Sequence, residues 1–275
     1  MPGEPRLTVD ALPRRAVMGI VNVTPDSFSD GGRYLDPDIA IAHGRALARA
    51  GAAIVDIGGV STRPGADAVP ADEELRRVLP VVAALRDLRC SIDTTSAQVA
   101  RAALDAGALM VNDISGGTAD PEMLGVVAEA GAAFVAMHMR GTPRTMQQQT
   151  EYDDVVAEVG AALASRVAAA VDAGVDRRAI LADPGIGFAK DAPQNLALLR
   201  ALPDLAAAAA VPLLVGASRK SFLGHALGST AAPRDDASLA AAVWAFEHGA
   251  AVVRVHDVAA THRAVALLET LERAA

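Results

Sequence analysis

Only two of the 25 cationic residues are lysines, Lys190 and Lys220; the remainder are arginine. Against that bias each lysine is informative, because a flexible ammonium with three donors does work that a planar guanidinium fork does not. Asparagine is equally scarce, at Asn22, Asn112 and Asn195. Residues of these types follow directly on short apolar runs. Asn22 opens the stretch Asn22-Val23-Thr24-Pro25-Asp26-Ser27-Phe28-Ser29-Asp30-Gly31-Gly32, and a second run leads into Gly58-Gly59-Val60-Ser61-Thr62-Arg63-Pro64-Gly65. Later runs end in Asp93, Asn112-Asp113, His138, Asp183-Pro184-Gly185, Ser218-Arg219-Lys220 and Arg254-Val255-His256-Asp257. Asp93, Asn112 and Asp183 suit in-plane hydrogen bonds to a planar heterocycle, since a carboxylate accepts from an exocyclic amine. Lys220, Arg254 and His256 supply charge and donors for a phosphate. The chemistry suggested is a ring pocket beside a polyanionic leaving group.

The elements that must bring these residues together can be read from the apolar runs. They fall at 17–23, 53–57, 90–92, 109–111, 133–137, 180–182, 212–215 and 251–255, short and nearly unbroken, as parallel strands buried on both faces are. Helical stretches lie between them at 39–50, 72–85, 97–106, 121–130, 154–173, 192–202, 235–248 and 258–273. Gly51, Gly107, Gly131, Gly174 and Gly249 stand where left-handed helix caps belong. Eight strands alternating with eight helices imply a single (β/α)8 TIM barrel over residues 17–275, behind an N-terminal extension, 1–16. A doubly wound open sheet is the competing architecture. In a barrel the βα loops form the catalytic face, and every polar cluster above falls there, whereas the αβ turns are plain Gly and Ala.

Length and composition narrow the class further. The chain has 275 residues, a formal net charge of −8, 52% hydrophobic residues and 3% aromatics. That acidity argues against a nucleic-acid or anionic-membrane partner. A single cysteine, Cys90, excludes an internal disulfide and a cysteine-based zinc site. No apolar run approaches the roughly 20 residues that span a bilayer, and the first fifteen residues lack a signal-peptide core. A cytoplasmic protein is the expectation.

The same segments, with Ser91-Ile92-Asp93-Thr94, resemble dihydropteroate synthases, in order, from about Val17 to the C-terminus. The resemblance implies condensation of 6-hydroxymethyl-7,8-dihydropterin diphosphate with p-aminobenzoate, by loss of diphosphate and then attack of the aniline nitrogen. It implies that Asp93, Asn112, Asp183 and Lys220 hold the pterin edge and that Met137 and Phe188 wall its faces. Asn22, Arg254 and His256 would hold the diphosphate, with Thr62 also at this substrate and Mg2+ bridging Asn22 to the diphosphate oxygens. Thr62, Arg63, Pro64, Phe188, Lys220 and Ser221 would shape the p-aminobenzoate pocket. Asp30 and Arg63, on the loops after strands one and two, would meet over the site, and a homodimer is expected.

Four positions depart from the family pattern: Val60 for the usual Glu, Ser96 for Lys or Arg, Ala189 for Gly and Gln194 for His. None is a residue of the implied pterin or diphosphate contacts. The alternatives are a non-catalytic or substrate-shifted pterin-binding paralogue and a pterin-dependent methyltransferase of the same barrel type. Taken singly, the residues also have plainer uses. Asp93 and Asp183 would serve as helix caps, Asn112 as a partner for loop backbone, His138 as a structural side chain and Lys190 as a partner of Asp191 or solvent.

Overall fold

The computed structural model describes residues 6–24, 37–229 and 233–274. Its strands are β1 (Ala16–Asn22), β2 (Ile54–Gly58), β3 (Cys90–Asp93), β4 (Met110–Asp113), β5 (Ala133–Met137), β6 (Ile180–Asp183), β7 (Leu213–Val215) and β8 (Ala250–Val255). They close in sequence order, each parallel to the next, with β1 returning to β8 through Ala16↔Val252 and Gly19↔Val255. The (β/α)8 TIM barrel is therefore the fold. The helices are α1 (Pro37–Arg49), α2 (Ala71–Ala84), α3 (Ala97–Asp105), α4 (Met123–Ala130), α5 (Val155–Asp172), α6 (Ala192–Arg200), α7 (Leu202–Ala209), α8 (Ser221–Ala226), α9 (Asp235–Glu247) and α10 (Val258–Arg273).

Two of these helices add to the sequence-based expectation. The stretch read as one helix ends at Arg200, and Pro203 opens α7 one residue further on, where its missing N–H costs nothing. The second, α8, is six residues long and starts at Ser221. The glycine stops hold, as at Gly131, which ends α4 with φ +59°.

Strand parity divides the core in two. Val17, Val21, Val55, Ile57, Ile92, Val111, Phe134 and Val253 point outward into the helix layer. Met18, Ile54, Met110, Val135, Leu181, Leu214 and Val252 point inward and fill the barrel floor, joined there by Leu7, Val9 and Leu12 from the segment before β1. The floor is thus apolar and packed. Burial of this kind stabilises by about 25 cal/mol per Å² removed from water.

Candidate functional site

Above that floor the inward positions turn polar. Asn22 pairs in register with Gly58, Gly58 with Asp93, and Asp93 with Asn112, so one level of the barrel carries three of the expected residues. Asp183 ends β6 in register with Met137 on β5. The short strands stop at this level, which turns Asp93, Asn112 and Asp183 into the barrel mouth while leaving them buried. Asp113, the next residue after Asn112, faces the other way by strand alternation. It accepts from the backbone N–H groups of Ser115 and Gly117, at 2.7 and 2.9 Å, and so shapes the turn.

Arg254 crosses this level from β8. Its Nε donates to Asp56 Oδ2 at 2.6 Å and its second terminal nitrogen donates to Asp93 Oδ2 at 2.7 Å. The same Asp56 Oδ2 accepts from Asn112 Nδ2 at 3.1 Å. Burial opposes the guanidinium's charge, but Asp56 and Asp93 more than offset this and raise its pKa. Burial also raises Asp93, with Arg254 pulling it back. Asp56 was invisible in the sequence reading, which took 53–57 as one apolar strand. Parity was the available signal, because Asp56 shares its face with Ile54 and Gly58 and registers with Ser91. A carboxylate on the inner face of a buried strand needs partners.

The loop after β6 is held from below by Lys190. Its Nζ lies 3.0 Å from His138 Nδ1 and donates to Gly185 O at 3.1 Å and Phe188 O at 2.8 Å. This corrects the plainer reading of Lys190 as paired with Asp191 or solvent: the side chain is buried, and Asp191 instead caps α6. Burial lowers the Lys190 pKa to about 7, and burial with Lys190 beside it drives His138 far below its usual range. His138 is thus a neutral acceptor with a structural role, as expected. Gly185, at φ +66°, has no space for a side chain, since a Cβ there would stand 1.9 Å from His138 O. Within the same loop Phe188 packs beside Met137, Ile114, Met139, Met146 and Ala189.

Lys220 approaches from β7. Its Nζ donates to Ile186 O and lies 4.5 Å from the Phe188 ring centroid, within cation–π range. Burial lowers its pKa to about 8, against the attraction of Asp183. Burial raises Asp183, opposed by Lys220 and by the 2.7 Å bond from Gly185 N to Asp183 Oδ1. Neither Asp93 nor Asp183 caps a helix; Asp154, Asp191 and Asp257 do that work. His256 stands beside Arg254, its Nδ1 2.9 Å from Ser218 Oγ. Burial, then Arg219, Arg254 and Arg63, depress its pKa to about 4, so the ring is neutral near pH 7.

Arg63 is exposed with Pro64, while Thr62 is half-buried. The β2 loop reaches across the barrel: Gly65 N donates to Pro143 O at 3.0 Å, and Arg144 faces Asp67 at 3.8 Å. Ser221, exposed, begins α8 directly after Lys220. Asp30, with residues 25–36 of its loop, lies outside the described residues. Three departures have local explanations. Ser96 caps α3 through Val99 N, and Gln194 closes a capping box with Asp191 and donates to Thr150 O at 2.7 Å. Ala189 adopts φ +52°, the left-handed region that the usual glycine enters freely. Nothing in the structure explains Val60.

Chemically, the mouth offers two buried carboxylates and an amide in one band, a lysine over an aromatic face, and an arginine and a neutral histidine on the adjoining strand. A heterocycle with in-plane donors fits the first group and an anion the second. The family described as pterin binding enzyme matches residues 18–256. Dihydropteroate synthase of Mycobacterium leprae is 53% identical over 254 residues, covering 89% of each chain. That of Synechocystis is 48% identical over 271 residues, covering 94% of this chain and 91% of the relative. The solved structure of Xanthomonas albilineans dihydropteroate synthase with 4-aminobenzoic acid superposes with a TM-score of 0.88 at 47% identity, covering 97% of this chain and 95% of that one. The Yersinia pestis enzyme in complex with a sulfonamide drug gives 0.89 at 41% identity, over the full length of both chains. The chain belongs to the pterin-binding enzymes and, within them, to the dihydropteroate synthases, transferases of folate biosynthesis.

Proposed function

We propose that the chain binds 6-hydroxymethyl-7,8-dihydropterin diphosphate with its ring across Asp93, Asn112 and Asp183 and its diphosphate toward Arg254 and His256. The observation that carries this is the level of polar residues on the inner wall, placed directly above an apolar floor. The crystallised relative from Xanthomonas albilineans, in complex with 7,8-dihydropteroate, supports the same reading. The carboxylates accept from the ring's N–H donors, Lys220 donates to a ring acceptor, and Met137 and Phe188 bound the faces. Asn22 and Thr62 reach the diphosphate end.

In the reaction the C–O bond between the pterin methylene and the diphosphate breaks, and the electron pair leaves with the diphosphate. Arg254 and a His256 Nε2–H stabilise the charge gathering on those oxygens, fixed donors being worth more there than in water. Asp93 and Asp183 stabilise the delocalised pterin cation. The p-aminobenzoate nitrogen, held among Thr62, Arg63, Pro64, Phe188, Lys220 and Ser221, then forms the new C–N bond and releases a proton to solvent. A neutral aniline needs no strong base, and His256, with its pKa near 4, is too acidic to act as one.

Among the described residues no cluster of three His, Cys, Asp or Glu side chains is arranged to hold a metal ion. The donor chemistry nonetheless fits Mg2+, which takes one or two protein oxygens and completes its shell with phosphate oxygens and water. The half-buried Asn22 amide at the end of β1 is such an oxygen. When bound, the ion would neutralise diphosphate charge. The proposal also includes a homodimer, for which Trp244 on α9 and Leu267 and Leu271 on α10 offer exposed apolar surface, and a cytoplasmic location. No described helix is long and apolar enough to cross a membrane.

The test is diphosphate release from the pterin diphosphate with and without p-aminobenzoate, with dihydropteroate followed in parallel. Stoichiometric product and diphosphate are expected. A folded protein that binds pterin yet releases no diphosphate would instead identify a non-catalytic pterin-binding paralogue.

A further inference from the structure

Asp56 lies outside every motif in the sequence reading, yet it is wholly buried and touches two residues of the site. One oxygen, Oδ2, carries both bonds, accepting from Arg254 Nε at 2.6 Å and from Asn112 Nδ2 at 3.1 Å. Its Oδ1 has no hydrogen-bond partner among the described residues. An amide has one donating and one accepting end, and beside a carboxylate oxygen that already accepts from a guanidinium only the donating end is tolerated. Asn112 therefore has no choice of orientation: Nδ2 turns down to Asp56, and Oδ1 is left to face the mouth.

We infer that Asp56 is a positioning residue that fixes Asn112 as an acceptor toward the pterin ring. The inference rests on the pterin reading of the site and adds the source of its polarity. Without this carboxylate, Asn112 would present a donor or an acceptor with similar ease, and the wall would lose part of its discrimination. A site built to pair with a donor rejects a ligand that leaves it unpaired, because an unmet buried polar group is costly. The bond to Arg254 gives the arrangement a second role. The same oxygen that orients the ring-reading amide also anchors the cation of the anion site, so the two halves of the pocket share one support.

The test uses the full-length chain and 6-hydroxymethylpterin, which lacks the diphosphate and so reports on the ring pocket alone. Calorimetry is run on Asp56→Leu, Asn112→Ala and the double variant Asp56→Leu/Asn112→Ala. Leucine removes the oxygen that serves both Asn112 and Arg254, whereas asparagine would place its own oxygen there and keep both bonds. Asp56→Leu and Asn112→Ala should each weaken binding about tenfold or more. The double variant should bind within about threefold of Asn112→Ala, because Asp56 acts on the ring through Asn112. A simply structural aspartate would add its own loss to that of Asn112→Ala. If Asp56→Leu fails to fold, Asp56→Ser takes its place in the single and the double variant. An Asp56→Leu variant with unchanged affinity, or a double variant at least tenfold weaker than Asn112→Ala, overturns the inference and leaves the pterin reading intact. An Asn112→Ala variant with unchanged affinity removes Asn112 from the pocket, and both readings go together.

Discussion

Lys190→Met replaces a buried ammonium by an apolar chain of similar length, and the structure says what each side of that exchange is worth. Three short bonds disappear, to His138 Nδ1 at 3.0 Å, Gly185 O at 3.1 Å and Phe188 O at 2.8 Å, and with them a long one to His138 O at 3.5 Å. Orphaning buried acceptors costs about 1–3 kcal/mol apiece, an upper bound here because neighbours relax. On the other side, holding the ammonium in this position lowers its pKa from 10.5 to about 7. That difference is a penalty of about 5 kcal/mol on the charged form, which methionine does not incur. The two effects nearly cancel at pH 7, so stability there should move by no more than about 2 kcal/mol.

The pH dependence separates them. Between the folded and unfolded pKa values the unfolded chain binds more protons at this residue, so folding stability rises with pH. From pH 7 to 8.5 Lys190 should contribute a gain of about 1.5 kcal/mol. Urea titrations at those two pH values should show that gain in the parent and not in Lys190→Met. The loop carrying Phe188 loses its central donor, so pterin affinity should fall about tenfold even where stability is matched. A variant with the parent's pH slope would show that Lys190 is not buried as a constrained ammonium. One with full pterin affinity would show that the loop keeps its shape without it.

Asp183→Asn should abolish pterin binding in a folded protein, because an amide presents donors where an acceptor is needed; unchanged affinity by calorimetry would dismiss the pocket assignment. Arg254→Ala and His256→Ala should weaken the diphosphate substrate more than the pterin alcohol, and equal losses on both ligands would refute the anion site. Because His256 has its pKa depressed to about 4, it favours the fold above pH 6.5, an advantage lost as pH falls from 6.5 toward 4. His256→Ala should flatten that acid limb of a denaturation profile. Arg63→Ala should lower kcat and raise the p-aminobenzoate KM while leaving pterin affinity nearly unchanged, since the residue would act after diphosphate departs; a defect in pterin affinity alone would contradict this.

The barrel was legible because eight apolar runs and their glycine stops each specify a local structure that agrees with closure. Strand ends shifted by a residue, as at β1, which starts at Ala16. α7 escaped notice because its alanines continue the pattern of α6, and only Pro203 marks the break. At the site, strand-end residues were readable since they interrupt apolar runs. Asp56 was not, since it lies inside one, and its role depends on Asn112 and Arg254, far away in sequence. Lys190 was noticed for its scarcity, but sequence adjacency offered only Asp191 or solvent as its surroundings, whereas the side chain runs inward to His138.

The contact between Gly65 and Pro143 joins the loops of β2 and β5 across the two strands between them. It lays a chord over a round opening and divides it unequally. The narrow sector lies above β3 and β4, and the wide one runs from β6 round to β1. Lys220, Arg254 and His256 stand in the wide sector, and Asp93 and Asn112 in the narrow one. Loop lengths are linked by the same chord: residues inserted at the tip of one loop would have to be matched by slack in the other for the span to close.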